Sequence, residues 1–220
     1  MRLINNPRMQ NKQSAADTPP QVVHIVDDDA GMRASLVNLF RSVGYQTRAY
    51  ASVDEFLAAD AEADPGCLVL DVRLPGTSGL DFQDQLREQD SLLPVVLMTG
   101  HGDIPMSVRA MKGGAIDFLA KPFREQDMLD AVTTALARNL ATRAASTQKA
   151  DLQSRYETLT QREREVMALV VTGQMNKQIA FELSLSEITV KIHRGNAMRK
   201  MGARNLVEFV QIAASLAPAI

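Results

Sequence analysis

Five polar residues, Asp27, Asp28, Asp71, Thr99 and Lys121, each stand where an apolar run ends. The runs are VVHIV before Asp27-Asp28, CLVL before Asp71, VVLM before Thr99 and AIDFLA before Lys121-Pro122. Short runs rich in Val, Ile and Leu, bounded by turn residues, are the pattern of strands buried on both faces. In an open α/β sheet the ligand lies outside the carboxyl ends of parallel strands, so these side chains are expected to meet there. Carboxylates gathered at one place repel one another unless a cation neutralises them. A hard divalent ion with oxygen ligands does so, and Mg²⁺ (or Mn²⁺) suits a site of few carboxylates and several waters. Such a centre is half of a phosphoryl-transfer site, where metal and ammonium hold the charge of the phosphoryl oxygens while a carboxylate attacks. Asp71 is the expected nucleophile, with Lys121 and Thr99 as the oxygen clamps. Asp29 is left out of the site, because a further Asp serves equally as a helix cap.

The elements that must position these residues alternate in type. Helices are expected over Gly31–Val43, after a capping box at Ser52 and Glu55, over Gly79–Glu88 and over Ile104–Lys112, where Gly113-Gly114 stops the last. Strands are expected at Tyr45–Tyr50, up to Asp71, at Pro94–Thr99 and at Ala115–Leu119. This is a flavodoxin-like, doubly wound, five-stranded parallel α/β fold. From Arg124 to about Gln153 the chain has no Gly or Pro and is rich in good helix formers. That stretch is either a long solvated helix or a lever between domains.

The chain has 220 residues, 45% of them apolar and 23% charged, which suits two modest globular domains with aliphatic cores. No stretch approaches a membrane span. Residues 1–19 are polar without an apolar h-region and are expected to be a disordered extension. With one cysteine, Cys67, no internal disulfide forms, and the expected location is the cytoplasm. His24 and His101 lack metal-ligand spacing. Residues 1–150 carry a net charge of −4 and residues 151–220 one of +2. That asymmetry is too small to identify a nucleic-acid binder by itself. Locally, however, Lys191, Arg194, Arg199 and Lys200, with His193, face only Glu187 as an opposing charge.

This basic cluster lies in an all-α, four-helix segment. Thr160 and Glu163 form a capping box, Gly173 ends the first helix, and Asn176 is expected to cap the second. A tight Ser184-Leu185-Ser186 turn leads to a third helix from Glu187 to Met201, ended by Gly202, and a fourth spans Asn205–Leu216. Two short helices joined by a tight turn, the second basic, make a helix-turn-helix. In the third helix Val190, Ala197 and Met201 point inward by their spacing, while Ile188, Lys191, Ile192, Gly195 and Arg199 share another face. Lys191 is placed to reach guanine acceptors and Ile192 a thymine methyl, with Thr189, His193 and Arg199 on phosphates. Arg194 completes the candidate DNA-binding set.

The motifs quoted above resemble those of two-component response regulators. Residues 21 to about 140 are similar to the receiver domain, and Asp71-Val-Arg-Leu-Pro-Gly and Met98-Thr-Gly-His-Gly-Asp to its FixJ branch. The resemblance makes Asp27-Asp28 the acidic pair, Asp71 the phosphoacceptor, Thr99 the switch hydroxyl, Phe118 the switch aromatic and Lys121 the conserved lysine. It also makes Pro122 a cis proline and the carbonyl of Arg73 a metal ligand beside Asp27, Asp28 and Asp71. Residues 158–216 resemble the LuxR-type domain of the NarL/FixJ class through Leu159-Thr-Gln-Arg-Glu-Arg-Glu-Val, Asn176-Lys-Gln-Ile-Ala and Leu185-Ser-Glu-Ile-Thr-Val-Lys-Ile-His. Some members carry a basic residue where this chain has Gly195.

The resemblance implies a receiver at 20–140, a helical linker at 141–156 and a DNA-binding domain at 157–220. It implies a sensor histidine kinase as phosphodonor, a homodimer on phosphorylation, double-stranded promoter DNA and RNA polymerase as partners, and control of transcription as an activator. The protein would assist its own phosphorylation and dephosphorylation without being a turnover enzyme. Two other readings are a DNA-binding regulator with a phosphate-independent receiver and an aspartyl-phosphate phosphatase of the haloacid-dehalogenase type. The latter normally needs an acid two positions after the nucleophile, where this chain has Arg73.

Overall fold

The computed structural model describes residues 20–216, so the expected extension at 1–19 and the last four residues lie outside the described residues. The chain divides into two compact units at Thr142/Arg143.

In the first unit, strands β1 (Val22–Val26), β2 (Gln46–Tyr50), β3 (Gly66–Asp71), β4 (Val95–Thr99) and β5 (Asp117–Ala120) form one sheet in the order β2-β1-β3-β4-β5. Every pairing is parallel. The period of two along each strand divides its side chains between two cores. Val23, Ile25, Val69, Val96 and Met98 pack with α1 (Ala30–Ser42) and the start of α5 (Glu125–Glu157). Val26, Leu68, Leu70, Val95 and Leu97 pack with α2 (Val53–Ala58), α3 (Gly79–Glu88) and α4 (Ile104–Lys112). The expected flavodoxin-like order is therefore the observed one.

Cys67 is buried in the first of these cores, and burial pushes its thiol well above the ordinary range, as suits a small core residue. His24 is fully buried as well, stacked on Tyr50 and edge-on to Phe56.

Beyond shifts of one residue at the ends of α1, β2, β4 and β5, one boundary and one cap of this unit differ from the sequence reading. Strand β5 starts at Asp117 rather than Ala115, because the Ala115 amide bonds back to Ala110 O at 3.1 Å and closes α4. Gly114 makes that turn at φ +91°. At α2, Ser52 accepts the Glu55 amide, whereas the Glu55 carboxylate takes the amide of Ala51 instead of that of Ser52.

Helix α5 runs unbroken over 33 residues, from Glu125 to Glu157. Its first half buries Met128, Ala131, Val132, Ala135, Leu136 and Asn139 at helical spacing. Asn139 accepts the Gly66 amide at 3.0 Å and donates to Leu92 O at 2.7 Å, tying the starts of β3 and β4 to the helix.

The second unit is all-α: the end of α5, then α6 (Gln161–Val171), α7 (Asn176–Leu183), α8 (Glu187–Met201) and α9 (Leu206–Ser215). Its core holds Leu159, Val166, Met167, Ile179, Val190, Ala197, Met201 and Phe209, with Leu152 and Tyr156 of α5 packed against it. Leu152 and Tyr156 of the helix thus add to the core of this unit. The Thr160–Glu163 capping box forms as expected. Asn176, in contrast, does not cap α7. Met175 holds that position, its amide donating to Gln178 Oε1 at 2.8 Å, while Asn176 Oδ1 is taken by Arg194.

Candidate phosphoacceptor site and nucleic-acid interface

The first unit brings its polar strand ends together. Asp27 follows β1 and Asp71 ends β3, adjacent strands in register from Val22↔Gly66 to Val26↔Leu70. Both carboxylates are almost wholly buried, while Asp28 is exposed, and ligand oxygens of all three lie within 4.8 Å of one another. Thr99 pairs with Ala120, so Lys121 emerges one residue beyond it, its amide donating to Thr99 O at 2.7 Å. The Lys121–Pro122 bond is cis.

The Lys121 ammonium bridges the two buried acids, at 2.7 Å from Asp27 Oδ2 and 2.8 Å from Asp71 Oδ2. Their other oxygens accept backbone amides, Asp27 Oδ1 from Asp29 and Asp71 Oδ1 from Arg73. Burial pushes the Asp27 carboxyl above its ordinary range, against the pull of Lys121 and the Asp29 amide. For Lys121, burial opposes the charge, but its bonds to Asp27 and Asp71 outweigh burial and hold the pKa above its ordinary value. The cluster therefore contains one firm cation and an excess of carboxylate, the electrostatic situation that favours a hard divalent ion. Each carboxylate oxygen has lone pairs beyond those it uses here, so the donor set fits Mg²⁺.

Around this cluster, Thr99 is fully buried and its Oγ1 accepts the His101 amide at 3.3 Å. Phe118 is half-buried against the α3/α4 core. A Cβ on Gly102 would come within 3.0 Å of the Phe118 ring and 3.1 Å of the Thr99 methyl, so the loop after β4 lies directly over both. Gly79 matters in the same way, since a Cβ there would meet Asp71 O at 2.2 Å. Asp29 caps α1 through the amides of Gly31 and Met32. Arg33, which the sequence did not single out, donates to Asp27 O at 2.6 Å. An i,i+6 contact around a turn leaves no periodic signal. Beside the acids an open cavity of about 610 Å³ is lined by Asp28, Arg73, Ser78, Asp103, Met106 and Arg109.

The second unit presents α8 as expected: Val190, Ala197 and Met201 are buried, and Ile188, Lys191, Ile192, Gly195 and Arg199 are exposed. Its basic residues are not equally available. Lys200 is paired with Glu163 at 2.7 Å and also donates to Thr158 O. Burial would raise the Glu163 pKa, but the bonds from Lys200 and Thr160 outweigh it and hold that carboxyl below its usual range. Arg194 donates to Asn176 at 3.0 Å, and Arg199 to Asn196 at 2.5 Å. The Thr189 hydroxyl meets that of Ser186 at 2.7 Å within the α8 cap. Among the described residues, the Lys191 and His193 side chains have no such partner. At the far end Arg155 of α5 donates to Met201 O, closing the C-terminus of α8.

Residues 23–133 match the response regulator receiver domain, and residues 157–213 the bacterial regulatory proteins of the luxR family. Nodulation protein W of Bradyrhizobium diazoefficiens is 54% identical over 195 residues, covering 89% of this chain and 86% of that protein. The solved structure of the response regulator StyR shares 44% identity at a TM-score of 0.80, over 89% of this chain and 99% of that one. Full-length FixJ from B. japonicum shares 36% identity at a TM-score of 0.55, over 92% and 100%. No helix among the described residues is long and apolar enough to cross a membrane. Acids and lysine gathered at one sheet edge, followed by a helix-turn-helix, thus have matching relatives along nearly the whole chain, which belongs to the response regulators that join a receiver domain to a luxR-family DNA-binding domain.

Proposed function

We propose that Asp71 accepts a phosphoryl group from a histidine kinase and that this controls promoter binding, with activation as the output. The carrying observation is the Lys121 bridge between Asp27 and Asp71, which holds the acceptor carboxylate beside a fixed cation. An Asp71 oxygen attacks phosphorus, the P–N bond of the phosphohistidine breaks, and the electron pair returns to the imidazole nitrogen. Asp27, Asp28, Asp71 and the carbonyl of Arg73 would hold Mg²⁺ (or Mn²⁺), which supplies charge neutralisation for the phosphoryl oxygens. Lys121 and Thr99 take the oxygens of the new phosphoryl group. The added charge, roughly −1.5 to −2, draws Thr99 toward it and lets Phe118 turn inward. The protein in this reading assists its own phosphorylation and dephosphorylation and is not a turnover enzyme.

A dimer surface goes with this reading. On α4, Ile104, Val108 and Met111 fall at intervals of four and three and are 79%, 44% and 50% exposed. An apolar stripe on the helix next to Phe118 suits pairing with a second copy once the switch has turned. A dimer would set two copies of α8 on a twofold-related DNA site and present RNA polymerase with a paired surface. The proposed division is a receiver at 20–140, a helical connection at 141–156 and a DNA-binding domain at 157–220.

Sedimentation velocity with Mg²⁺, with and without beryllofluoride, tests this on wild type, Asp71→Asn and Val108→Asp. A monomer-to-dimer shift in wild type alone is the expected result. A shift that survives in Asp71→Asn would overturn the role of Asp71, and one that survives in Val108→Asp would overturn the α4 surface.

A further inference from the structure

The DNA-facing side of α8 is more apolar than its composition suggests. Ile188, Ile192 and Gly195 fall at intervals of four and three, which puts them in one stripe along the helix. Ile188 is 73% exposed and Ile192 57%, and nothing lies within 4 Å of where a Gly195 Cβ would be. Exposed isoleucines scattered singly need no explanation. Here two occupy successive turns of the element that the fold offers to the major groove. The charges that would otherwise dominate the helix are partly committed inside the protein, Arg194 to Asn176, Arg199 to Asn196 and Lys200 to Glu163. Lys191, beside the stripe, is exposed and without a side-chain partner among the described residues, so it can hold a phosphate or a guanine edge alongside it.

The major groove displays one methyl group, the C5-methyl of thymine, among edges made mainly of hydrogen-bond donors and acceptors. An isoleucine cannot pair with those polar edges and would desolvate them at a cost. The rise from residue 188 to 192 is about 6 Å along the helix axis. That is close to two base steps of roughly 3.4 Å each. We propose that Ile188 is a further specificity determinant, which reads a second thymine methyl one to two steps from the one that Ile192 reaches in each half-site. The bare Gly195 position lets the helix backbone come close enough for both. This rests on α8 being the element that enters the major groove, and it goes further by naming the base feature read.

The test uses the full-length protein with Mg²⁺ and beryllofluoride, and duplexes selected by it from a randomised pool. Each thymine is then replaced by deoxyuridine, which keeps base pairing and removes only the methyl group. Burial of a group of this size implies a loss of about fourfold in affinity per methyl removed. The expected result is such a loss at one or two thymines per half-site. Ile188→Ala and Ile192→Ala should each erase the thymine-over-uracil preference at one of them while leaving the melting temperature unchanged. Uniform tolerance of uracil, or a preference that persists unchanged in both variants, overturns the proposal but leaves DNA binding by α8 intact. Variants that lose beryllofluoride-induced dimerisation and keep the preference assign the stripe to a second copy instead. Failure to select any duplex removes the DNA-binding reading, and this inference with it.

Discussion

The two units solve the placement of charge in opposite ways. In the receiver, the working residues satisfy one another: Lys121 bridges Asp27 and Asp71, and backbone amides take their remaining oxygens. In the second unit the exposed face of α8 keeps Lys191, Ile188 and Ile192 turned to solvent, while Arg194 and Arg199 are held by Asn176 and Asn196. The receiver site is therefore preorganised and buried, so a single change inside it disturbs both chemistry and stability. The exposed side chains of α8 are not packed within the unit, so changes at them should alter affinity while leaving the fold alone. Each prediction below either strengthens this contrast or breaks it.

The largest effect is expected for Lys121→Met. Removing a preorganised cation from a developing charge costs on the order of 10² in rate. The variant also leaves Asp27 and Asp71 buried without their common counter-ion, which destabilises by about 3 kcal/mol. Phosphorylation by a small acyl phosphate and urea unfolding should therefore fall together, with added Mg²⁺ restoring stability more than rate. A variant of unchanged stability would show that the acids are not held by the lysine.

Next comes acid sensitivity from His24. Burial lowers its pKa from 6.5 to about 4, with Asp64 opposing and Arg48 assisting that shift, and its Nε2 has no hydrogen-bond partner among the described residues. The unfolded chain binds the proton below pH 6.5 and the folded chain only below about 4. Stability from this group is thus complete above the higher value, declines as pH falls through the window and is gone below the lower one. The loss amounts to about 3 kcal/mol. Urea unfolding of the full chain, followed at receiver NMR signals, should show this slope in wild type and lose that share of it in His24→Leu. Equal slopes in the two proteins would mean that the imidazole is hydrated in the fold.

A smaller loss, about 2 kcal/mol, is expected for Asn139→Ala, which strands the Gly66 amide and Leu92 carbonyl. Faster exchange of the Gly66 amide would locate it, and an unchanged amide would show that water replaces the side chain.

Such contacts also mark where the sequence stops being informative. The acid cluster was legible because β1, β3 and β4 are continuous apolar runs, and a run that ends in Asp27, Asp71 or Thr99 announces the strand's carboxyl end. The inward face of α8 was legible from its period, which put Val190, Ala197 and Met201 together. Strand β5 was displaced because Ala115 has two uses, apolar in type and yet needed to close α4. The pairings Glu163–Lys200, Asn176–Arg194 and Asn139–Gly66 had no local signal at all, since they join positions 37, 18 and 73 residues apart. The first two changed the reading of the basic cluster most: a run of cations is a charge pattern in sequence, but its availability depends on partners from other helices.

That availability gives the smallest and sharpest test of the contrast between units. Among the described residues Lys191 has no side-chain partner, whereas Arg194 is held by Asn176. Lys191→Ala should leave the melting temperature unchanged and weaken binding to all duplexes or to those with one guanine, according to whether it holds phosphate or base. In the phosphate case the slope of log affinity against log salt falls by about one. Arg194→Ala instead removes a bond between α7 and α8, so it should cost about 1 kcal/mol of stability as well as affinity. Parallel melting and salt-titrated binding of the two variants separate the cases. If Lys191→Ala melts early, the α8 face is part of the domain's own stability and the contrast with the receiver fails.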